Sequence, residues 1–256
     1  MNPIDSAPDP AVDAPHRVLR AFYPDEGARR AFLTDIFDKT SKDYDRIERL
    51  LGFGSGSWYR REALLRAGLA SGMSVVDVGV GTGLVARQAV RIVGDSGRVV
   101  GVDPSAGMMA QADLPPEVEL KQGTAESMPL PEQSFDFLSM GFALRHLSSL
   151  SAAFGEFHRV LRPGATVCLL EITRPASQAG RWALKAYLKA VVPMIARLWT
   201  RDPQTSLIWR YYWETIEACV DPEIVMQALS AAGFTAVQRH VELGIFSEYR
   251  ATRPRG

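Results

Sequence analysis

A glycine-rich stretch in the first half of the chain has the composition of a ligand-binding loop. It follows an apolar run at 74–78 and reads Asp77-Val78-Gly79-Val80-Gly81-Thr82-Gly83. Glycines let a backbone turn tightly and approach a ligand closely, where the N–H groups of the next helix are unpaired. Asp103 ends the next apolar run, 20 residues after Gly83. A carboxylate there can accept hydrogen bonds from ribose hydroxyls, so the two features indicate a nucleoside-containing ligand.

The spacing of the glycines distinguishes between nucleoside ligands. Dinucleotide-binding loops have the pattern G-x-G-x-x-G, but the residue three positions after Gly81 is Leu84. The observed G-x-G-x-G spacing suits the amino-acid end of S-adenosylmethionine (SAM), and a glycine turn without a ligand is the remaining alternative. We predict that SAM is held by Asp77, Gly79, Gly81, Thr82, Gly83, Asp103 and Pro104.

Short β-branched runs that alternate with helical windows must position this loop. Strands are predicted at 74–79, 98–103, 118–122, 135–140 and 165–172, with helices at 84–93, 106–112 and 151–161. Apolar strands separated by crossover helices favour a parallel sheet that is covered on both faces. Right-handed crossovers then predict a Rossmann-like, doubly wound α/β fold. A helix at 222–232 and strands at 235–241 and 245–252 complete a mostly parallel, seven-stranded sheet.

The segments around this sheet predict one domain with helical additions. Residues 1–20 are rich in Pro, Asp and Ala, and we interpret them as a disordered arm. Residues 21–256 are expected to form a single domain, with an N-terminal helical cap at 21–67 and a helical lid insertion at 176–220. Arg162-Pro163-Gly164 is expected to end a helix before the fifth strand.

The composition argues against several other classes of protein. Lys plus Arg and Asp plus Glu each number 29, and this balance argues against a nucleic acid as partner. Two cysteines without a Cys-x-x-Cys pair and four scattered histidines predict neither a disulfide scaffold nor a metal site. No stretch of about eighteen residues is free of charge, and the acidic start does not resemble a signal peptide. We therefore expect a cytoplasmic protein, whose oligomeric state the sequence does not indicate.

Eight short motifs, spread between about residue 31 and residue 249, form one recognisable set. They are Phe37-Asp38, Tyr44-Asp45, Leu50-Leu51-Gly52-Phe53-Gly54, Phe135-Asp136, Gly141-Phe142-Ala143-Leu144-Arg145-His146, Arg159-Val160-Leu161-Arg162-Pro163-Gly164, Leu170-Glu171 and Ala232-Gly233-Phe234. Together with the glycine loop, they resemble the class I SAM-dependent methyltransferases, and within these the ubiquinone/menaquinone biosynthesis C-methyltransferases. The resemblance implies methyl transfer to a small hydrophobic aromatic or quinol-type acceptor. Tyr44 is expected to close over the cofactor, with a core position as the alternative.

Two positions depart from the pattern of that family. Where the family has Gly-Asp-Ala-Glu after the third strand, this chain has Gly123-Thr124-Ala125-Glu126. The missing carboxylate should weaken a contact to the adenine amino group, whereas the backbone N–H of Ala125 can still serve, so Thr124 and Ala125 remain candidate cofactor contacts. The family's Leu-Arg-Asn after the fourth strand is Leu144-Arg145-His146 here.

Three polar residues near the ends of the fourth and fifth strands are candidate catalytic groups. Methyl transfer from a sulfonium gains mainly from orientation, but methylation of a ring carbon also benefits from a base that deprotonates a phenol. His146, with an ordinary pKa of about 6.5, is the candidate base. Arg145 is expected to steer a phenolate or quinone oxygen, and Glu171 is expected to face the crevice. The alternatives are a loop histidine without a role and a surface ion pair for Arg145.

The helical insertion contains a stretch, 181–199, that has a basic stripe and an apolar face. Arg181, Lys185 and Lys189 follow one another at i, i+4 and i+8, and the apolar face carries Leu184, Leu188, Val191 and Ile195. This helix is predicted either to be a lid that forms the substrate pocket or to lie on a membrane surface. The two roles are compatible.

Two further functions stay open at the level of the sequence. One is O- or N-methylation of a secondary metabolite or a lipid head group. The other is a SAM-binding protein that has lost catalysis and serves in a complex.

Overall fold

The computed structural model describes residues 13–51, 55–192, 194 and 203–255, and a seven-stranded sheet lies at its centre. The strands are β1 (Ser74–Val78), β2 (Arg98–Asp103), β3 (Glu119–Gln122), β4 (Phe135–Gly141), β5 (Leu161–Ile172), β6 (Thr235–Glu242) and β7 (Phe246–Thr252). Their order is β3-β2-β1-β4-β5-β7-β6. Strands β1 to β5 run parallel, while β7 is antiparallel to both β5 and β6. The predicted mostly parallel, doubly wound fold is confirmed.

Helices cover both faces of this sheet. They are α1 (Glu26–Leu51), α2 (Gly56–Arg66), α3 (Ala86–Val93), α4 (Ala106–Met109), α5 (Leu150–Val160), α6 (Gln178–Ala186), α7 (Pro203–Ala218) and α8 (Pro222–Ala231), with a 3₁₀ turn at Leu144–His146 and a π-helical turn at Tyr187–Val191. One apolar cluster joins α5 and α8 to the sheet, and a second joins α2 and α3 to it. Burial on both faces explains why the central strands are almost continuously apolar.

The N-terminal helix and the insertion pack against each other in a third apolar cluster. Ile36 of α1 lies there with Leu188 of the π-helical turn and with Tyr211 and Tyr212 of α7. The basic stripe predicted for 181–199 finds partners within the chain, since Lys189 pairs with Glu214 at 2.9 Å. Ile195, which was assigned to the apolar face, lies outside the described residues. None of the helices that the structure describes combines the length and apolarity needed to cross a membrane.

The fifth strand begins four residues earlier than predicted, because the Arg-Pro-Gly motif belongs to it. Strand β5 starts at Leu161, and its register against β4 shifts between Phe135 and Phe137. Gly164 lies in this irregular part with φ +86°, and its N–H donates to the carbonyl of Arg253 at 2.8 Å. The glycine therefore bends the beginning of a strand, whereas we expected it to separate a helix from one.

The expectation of a disordered arm at 1–20 does not hold for residues 13–20, and residues 1–12 lie outside the described part of the chain. His16 is 2% exposed, and its Nε2 lies 3.0 Å from Nη2 of Arg29 in α1. The carbonyl of Pro15 accepts from the N–H of Val220 at 2.8 Å. Asp13 accepts from the N–H of Ser151 at 2.9 Å. The local composition gave no sign of these partners, which are distant in sequence.

Because of the buried histidine in this segment, we predict that the free energy of unfolding decreases in mild acid. Burial and the neighbouring Arg29 charge lower the pKa of His16 to about 4. The unfolded chain binds that proton at about pH 6.5, so the folded state loses stability as the pH falls from there towards 4. Between pH 7 and pH 5 we expect His16 to account for about 2 kcal/mol of that loss, measured by urea unfolding. In His16→Gln, the free energy of unfolding should fall by about that much less between pH 7 and pH 5. An equal fall in the native protein and in the variant would contradict the role of His16.

Candidate active site

A cavity lies at the carboxyl ends of β1, β2 and β4, where the strand order reverses between β1 and β4. Doubly wound sheets bind ligands at this place. Its walls come from the glycine loop, from the loops after β2 and β4, and from α1, α2 and α7. Seven of the residues predicted from the sequence line it, namely Asp77, Gly79, Gly81, Thr82, Asp103, Pro104 and His146.

The glycine loop has a backbone that only glycine adopts without strain. Gly79, Gly81 and Gly83 have φ values of +68°, +54° and +86°. A Cβ on Gly79 would lie 2.7 Å from the Cβ of Ala143, and one on Gly83 would lie 2.7 Å from Cγ of Leu114. Gly83 is not among the residues that line the cavity, and its lack of a side chain lets the loop pack against Leu114. The glycines are therefore needed both for the turn and for close packing.

Asp103 connects the two loops that form the floor of the cavity. One carboxylate oxygen accepts from the N–H of Gly81 and the other from the N–H of Ser105, both at 2.8 Å. These bonds favour the ionised carboxylate, but burial outweighs them and raises the pKa of Asp103 to about 6. The carboxyl group thus lies at the cavity wall, where a ligand's hydroxyl groups could donate to it.

Asp77 places a second buried carboxyl group in the cavity wall. Its Oδ1 accepts a hydrogen bond of 2.7 Å from the hydroxyl of Ser139 on the neighbouring strand β4. Burial raises the pKa of Asp77 to about 7. A cation that binds beside this carboxyl group would stabilise its ionised form.

Helix α1 closes over the same two loops through its own carboxylates. Asp45 accepts a hydrogen bond from the hydroxyl of Thr82 in the glycine loop. Asp38 accepts one from the hydroxyl of Ser105 and another, of 3.0 Å, from the N–H of Gly107. The side chain of Tyr44, on the same helix, lies outside the description.

His146 lines the cavity together with the aromatic side chains of Phe37 and Tyr212. Its ring stacks on Tyr211 with a centre-to-centre distance of 5.6 Å and meets the ring of Phe37 edge-on at 5.3 Å. Tyr212 completes the wall, 6.0 Å from the imidazole. Nε2 of His146 is buried, and within the described part of the chain it has no hydrogen-bond partner. A buried acceptor or donor without a partner is uncommon in proteins and indicates a place for a ligand group.

The surroundings of His146 keep its imidazole neutral. Burial is the main cause that lowers its pKa well below the ordinary value, and the nearby positive charges of Arg145 and Arg29 act in the same direction. The imidazole is therefore neutral throughout the neutral pH range, and its lowered pKa makes it a weak base.

Arg145 and Glu171, which we expected to face the acceptor, are not among the residues that line the cavity. They form a buried ion pair with each other. Glu171 also accepts from the backbone N–H of Arg145 at 3.2 Å and from that of Ile172 at 2.8 Å. The guanidinium of Arg145 lies 4.9 Å from the ring centre of Tyr212. An acid at the end of an apolar strand requires a buried partner, and this ion pair fixes the turn that carries His146.

The predicted adenine contacts lie beside the cavity and not in its wall. Thr124 and Ala125 follow the carboxyl end of β3, and neither lines the cavity. Gly123, immediately before them, donates its N–H to the carbonyl of Asp103 at 3.1 Å. The two residues are therefore close in the fold to the acid that is predicted to bind ribose.

The cavity wall also contains residues to which the sequence analysis gave no role, among them Arg60, Phe142 and Tyr212. Arg60 shares the buried side of α2 with Ala63 and Leu64, and a charged residue on such an apolar stripe is a usable signal. Phe142 has a left-handed backbone with φ +60°, which no local pattern revealed. Tyr212 reaches the cavity from the insertion, far along the chain. Among the described residues, no group of three or more His, Cys, Asp or Glu could hold a metal ion.

Comparison with known proteins identifies the family. The ubiE/COQ5 methyltransferase family matches residues 26–253. The ubiquinone/menaquinone biosynthesis C-methyltransferase UbiE of Stutzerimonas stutzeri strain A1501 is 30% identical over 237 residues, which cover 90% of this chain and 91% of that protein. The UbiE of Hahella chejuensis strain KCTC 2396 is 29% identical over 212 residues, which cover 80% of this chain and 84% of that protein.

Solved structures agree on the fold. A SAM-dependent methyltransferase from Aquifex aeolicus has a TM-score of 0.59 at 22% identity and covers 82% of this chain and 97% of its own. A SAM-dependent methyltransferase from Thermotoga maritima, described as a possible histamine N-methyltransferase, has a TM-score of 0.60 at 23% identity. The match covers 86% of this chain and 98% of that protein's chain. The family match over nearly the whole chain and the shared fold lead to one conclusion: the chain belongs to the ubiE/COQ5 methyltransferase family and is a SAM-dependent methyltransferase.

Proposed function

We propose that this protein methylates a ring carbon of a hydrophobic hydroquinone, and that both reactants bind in the cavity at the carboxyl ends of β1, β2 and β4. The names of the UbiE relatives, which cover most of the chain, support a C-methylation in quinone biosynthesis. The observation that carries the proposal is the aromatic wall around His146, with an unpartnered Nε2 among the described residues. A planar aromatic acceptor would stack in such a wall and offer a hydroxyl group to the imidazole.

For the cofactor, we propose that the glycine loop and the loop after β2 form the binding surface. SAM supplies a methyl group on a positively charged sulfur when it is bound. Asp103 accepts from the ribose hydroxyls, while Thr82 and Pro104 border the same space. Thr124 and Ala125 meet the adenine from the end of β3, and Tyr44 closes the site from α1.

For the acceptor, we propose that His146 is the base. The O–H bond of a ring hydroxyl breaks, its proton forms a bond to Nε2, and the electron pair stays on oxygen and enriches the ring. The ring carbon that gains the methyl group then releases its hydrogen as a proton to water, and the electron pair of that C–H bond restores the aromatic ring. The oxygen takes back a proton from Nε2, so the imidazole is neutral again. The guanidinium groups of Arg145 and Arg29, which do not line the cavity, keep the imidazole neutral beforehand. Arg145 and Glu171 act as positioning residues, because their ion pair fixes the turn at Leu144–His146.

For the insertion, we propose two simultaneous roles. It is a lid, supported by its packing on α1 and by Tyr212 in the cavity wall. It also contacts the membrane surface from which a hydrophobic hydroquinone would be taken. Trp182 is 73% exposed and Met194 is 57% exposed, and large apolar side chains at a lipid interface contribute to binding.

Replacing Asp103 tests the placement of the cofactor. We expect Asp103→Asn to weaken SAM binding roughly 10-fold or more, because a charge-assisted hydrogen bond is lost. Calorimetry should also show that SAM affinity of the native protein falls as the pH drops through about 6, where Asp103 gains a proton. In Asp103→Asn, this fall in SAM affinity near pH 6 should be absent. Asp113→Asn, at a side chain that is 89% exposed, is the control and should bind normally; an unchanged affinity in Asp103→Asn would contradict the placement.

Replacing His146 tests the base and the reaction together. With a ¹³C-labelled methyl group and a short-chain hydroquinone, nuclear magnetic resonance should find the label on a ring carbon and not on oxygen. We expect His146→Ala to lower the turnover rate roughly 10²–10⁴-fold with little change in SAM affinity. The native rate should be level at neutral pH and decline only in acid, because the pKa of His146 is lowered.

Two comparisons accompany that experiment. His240→Ala removes an exposed histidine on β6 and should leave the rate unchanged. His146→Asn, which introduces the residue that the family pattern has at this position, should keep more activity than His146→Ala only if orienting the acceptor suffices. A turnover rate of His146→Ala equal to that of the native protein would refute His146 as the base. A labelled methyl group on oxygen would show that the reaction is O-methylation and not C-methylation.

Replacing Trp182 tests the membrane contact. In co-sedimentation with phosphatidylglycerol–phosphatidylcholine vesicles, we expect Trp182→Ala to bind several-fold more weakly than the native protein. Turnover of a water-soluble acceptor should stay the same, because Trp182 does not line the cavity. Trp58→Ala removes another exposed tryptophan, from α2, and serves as the comparison. Equal vesicle binding by native protein and Trp182→Ala would count against a contact through the insertion.

A further inference from the structure

The turn between β6 and β7 holds a large apolar side chain in solvent at a strained backbone position. Leu243 is 80% exposed and has φ +52°. Gly244 follows with φ +73°, and the N–H of Ile245 donates to the carbonyl of Glu242 at 3.2 Å. Hairpin turns with positive φ at both central residues favour Asn-Gly or Asp-Gly, because a bulky apolar side chain strains the left-handed backbone. Asparagine would therefore fit this position better than leucine does.

Packing within the fold does not explain this leucine. In the part of the chain that the structure describes, Leu243 belongs to none of the three apolar clusters. Single exposed apolar side chains are common on protein surfaces and indicate nothing by themselves. Backbone strain at the same residue is a second observation, since strained residues persist mainly where they serve a function.

The turn lies at the same edge of the sheet as the cavity. Because β7 is antiparallel to both β5 and β6, β6 runs parallel to β5 and ends at the carboxyl edge. The turn at 243–244 projects beyond that edge. The carbonyl of Ile245 accepts from the N–H of Thr173, the first residue after β5, at 2.7 Å. The insertion leaves the sheet from this same point, so the turn and the insertion begin side by side.

The first turn of α6 brings positive charge and a second apolar side chain to this edge. Nε of Arg181 donates to the carbonyl of Pro175, three residues beyond β5, at 2.9 Å, which keeps the start of α6 beside the strand end. Trp182 follows Arg181 and is exposed, as is Lys185 one helical turn later. Exposed apolar side chains next to exposed cations are complementary to the interface of a bilayer with anionic lipids.

We propose that the turn at 243–244 inserts into the surface of a bilayer that contains anionic lipids, beside the first turn of α6. This inference rests on the proposed function, in which the acceptor is a hydrophobic hydroquinone, and adds the orientation of the protein on the membrane. Leu243 enters the apolar part of the interface, while Arg181 and Lys185 meet the phosphate groups. The carboxyl edge of the sheet, which carries the cavity, then faces the leaflet from which the acceptor is taken.

A substitution that suits the turn but removes its apolar side chain separates this role from a structural one. We expect Leu243→Asn to unfold at a urea concentration no lower than that of the native protein, since asparagine tolerates the left-handed backbone. In co-sedimentation with phosphatidylglycerol–phosphatidylcholine vesicles, it should bind roughly 10-fold more weakly. Turnover of a water-soluble acceptor should stay the same, because Leu243 is not among the residues that line the cavity.

Ala236 provides the matched control at the other end of the same strand. It is exposed, has φ +51° and lies in the irregular beginning of β6, at the opposite edge of the sheet. Ala236→Asn makes the same kind of change to a left-handed residue. It should bind vesicles as the native protein does.

The remaining outcomes would overturn the inference. Vesicle binding by Leu243→Asn equal to that of the native protein would do so, and so would a native protein that binds no vesicles. Lower resistance to urea in both Leu243→Asn and Leu243→Gly would show that the side chain supports the fold. Self-association of the native protein that Leu243→Asn abolishes, with equal vesicle binding, would identify a second copy of the chain as the partner. Vesicle binding requires no turnover, so a failure to methylate a hydroquinone would contradict the proposed reaction separately.

Discussion

The two hydrogen bonds that Asp103 accepts from Gly81 and Ser105 hold the site together. They connect the loop after β1 to the loop after β2, and each bond depends on the parallel register of these strands, in which Val78 lies beside Val102. Because the carboxyl group is buried, it needs both donors or a ligand to remain charged. The positions of the glycine loop and of α4 depend on this one side chain, as does the closing contact of α1 with Ser105.

A second set of buried charged groups links the N-terminal segment and α1 to the turn after β4. Arg29 of α1 donates to the carbonyl of Arg145 at 2.9 Å and contacts His16, while Arg145 pairs with Glu171 at the end of β5. The turn that carries His146 is thereby fixed from the N-terminal segment, from α1 and from the sheet. Buried ion pairs contribute little net stability compared with apolar packing, but they define geometry because a displaced partner leaves an uncompensated charge.

The fold was predictable because its signals are local. Alternation of apolar runs with helical windows predicted the strands and their parallel arrangement, and the spacing of Gly79, Gly81 and Gly83 indicated the loop after β1. The partners that complete the site are not local. Arg29 and Arg145 are 116 residues apart, and Asp45 and Thr82 are 37 apart. No periodicity reports such contacts, so the sequence led us to treat Arg145 and Glu171 as groups facing the acceptor, whereas they satisfy each other in the core.

The environment of His146 disfavours a positive charge that stays on the imidazole ring. An imidazolium there would lie near two guanidinium groups, Arg145 and Arg29, in a buried site, and both the burial and the charges disfavour it. On the proposed function, a proton accepted at Nε2 is therefore held only briefly. Nδ1 of the same ring lies 3.5 Å from the hydroxyl oxygen of Tyr211. The arginines that make the histidine a weak base thus also return it to the neutral form that the next turnover requires.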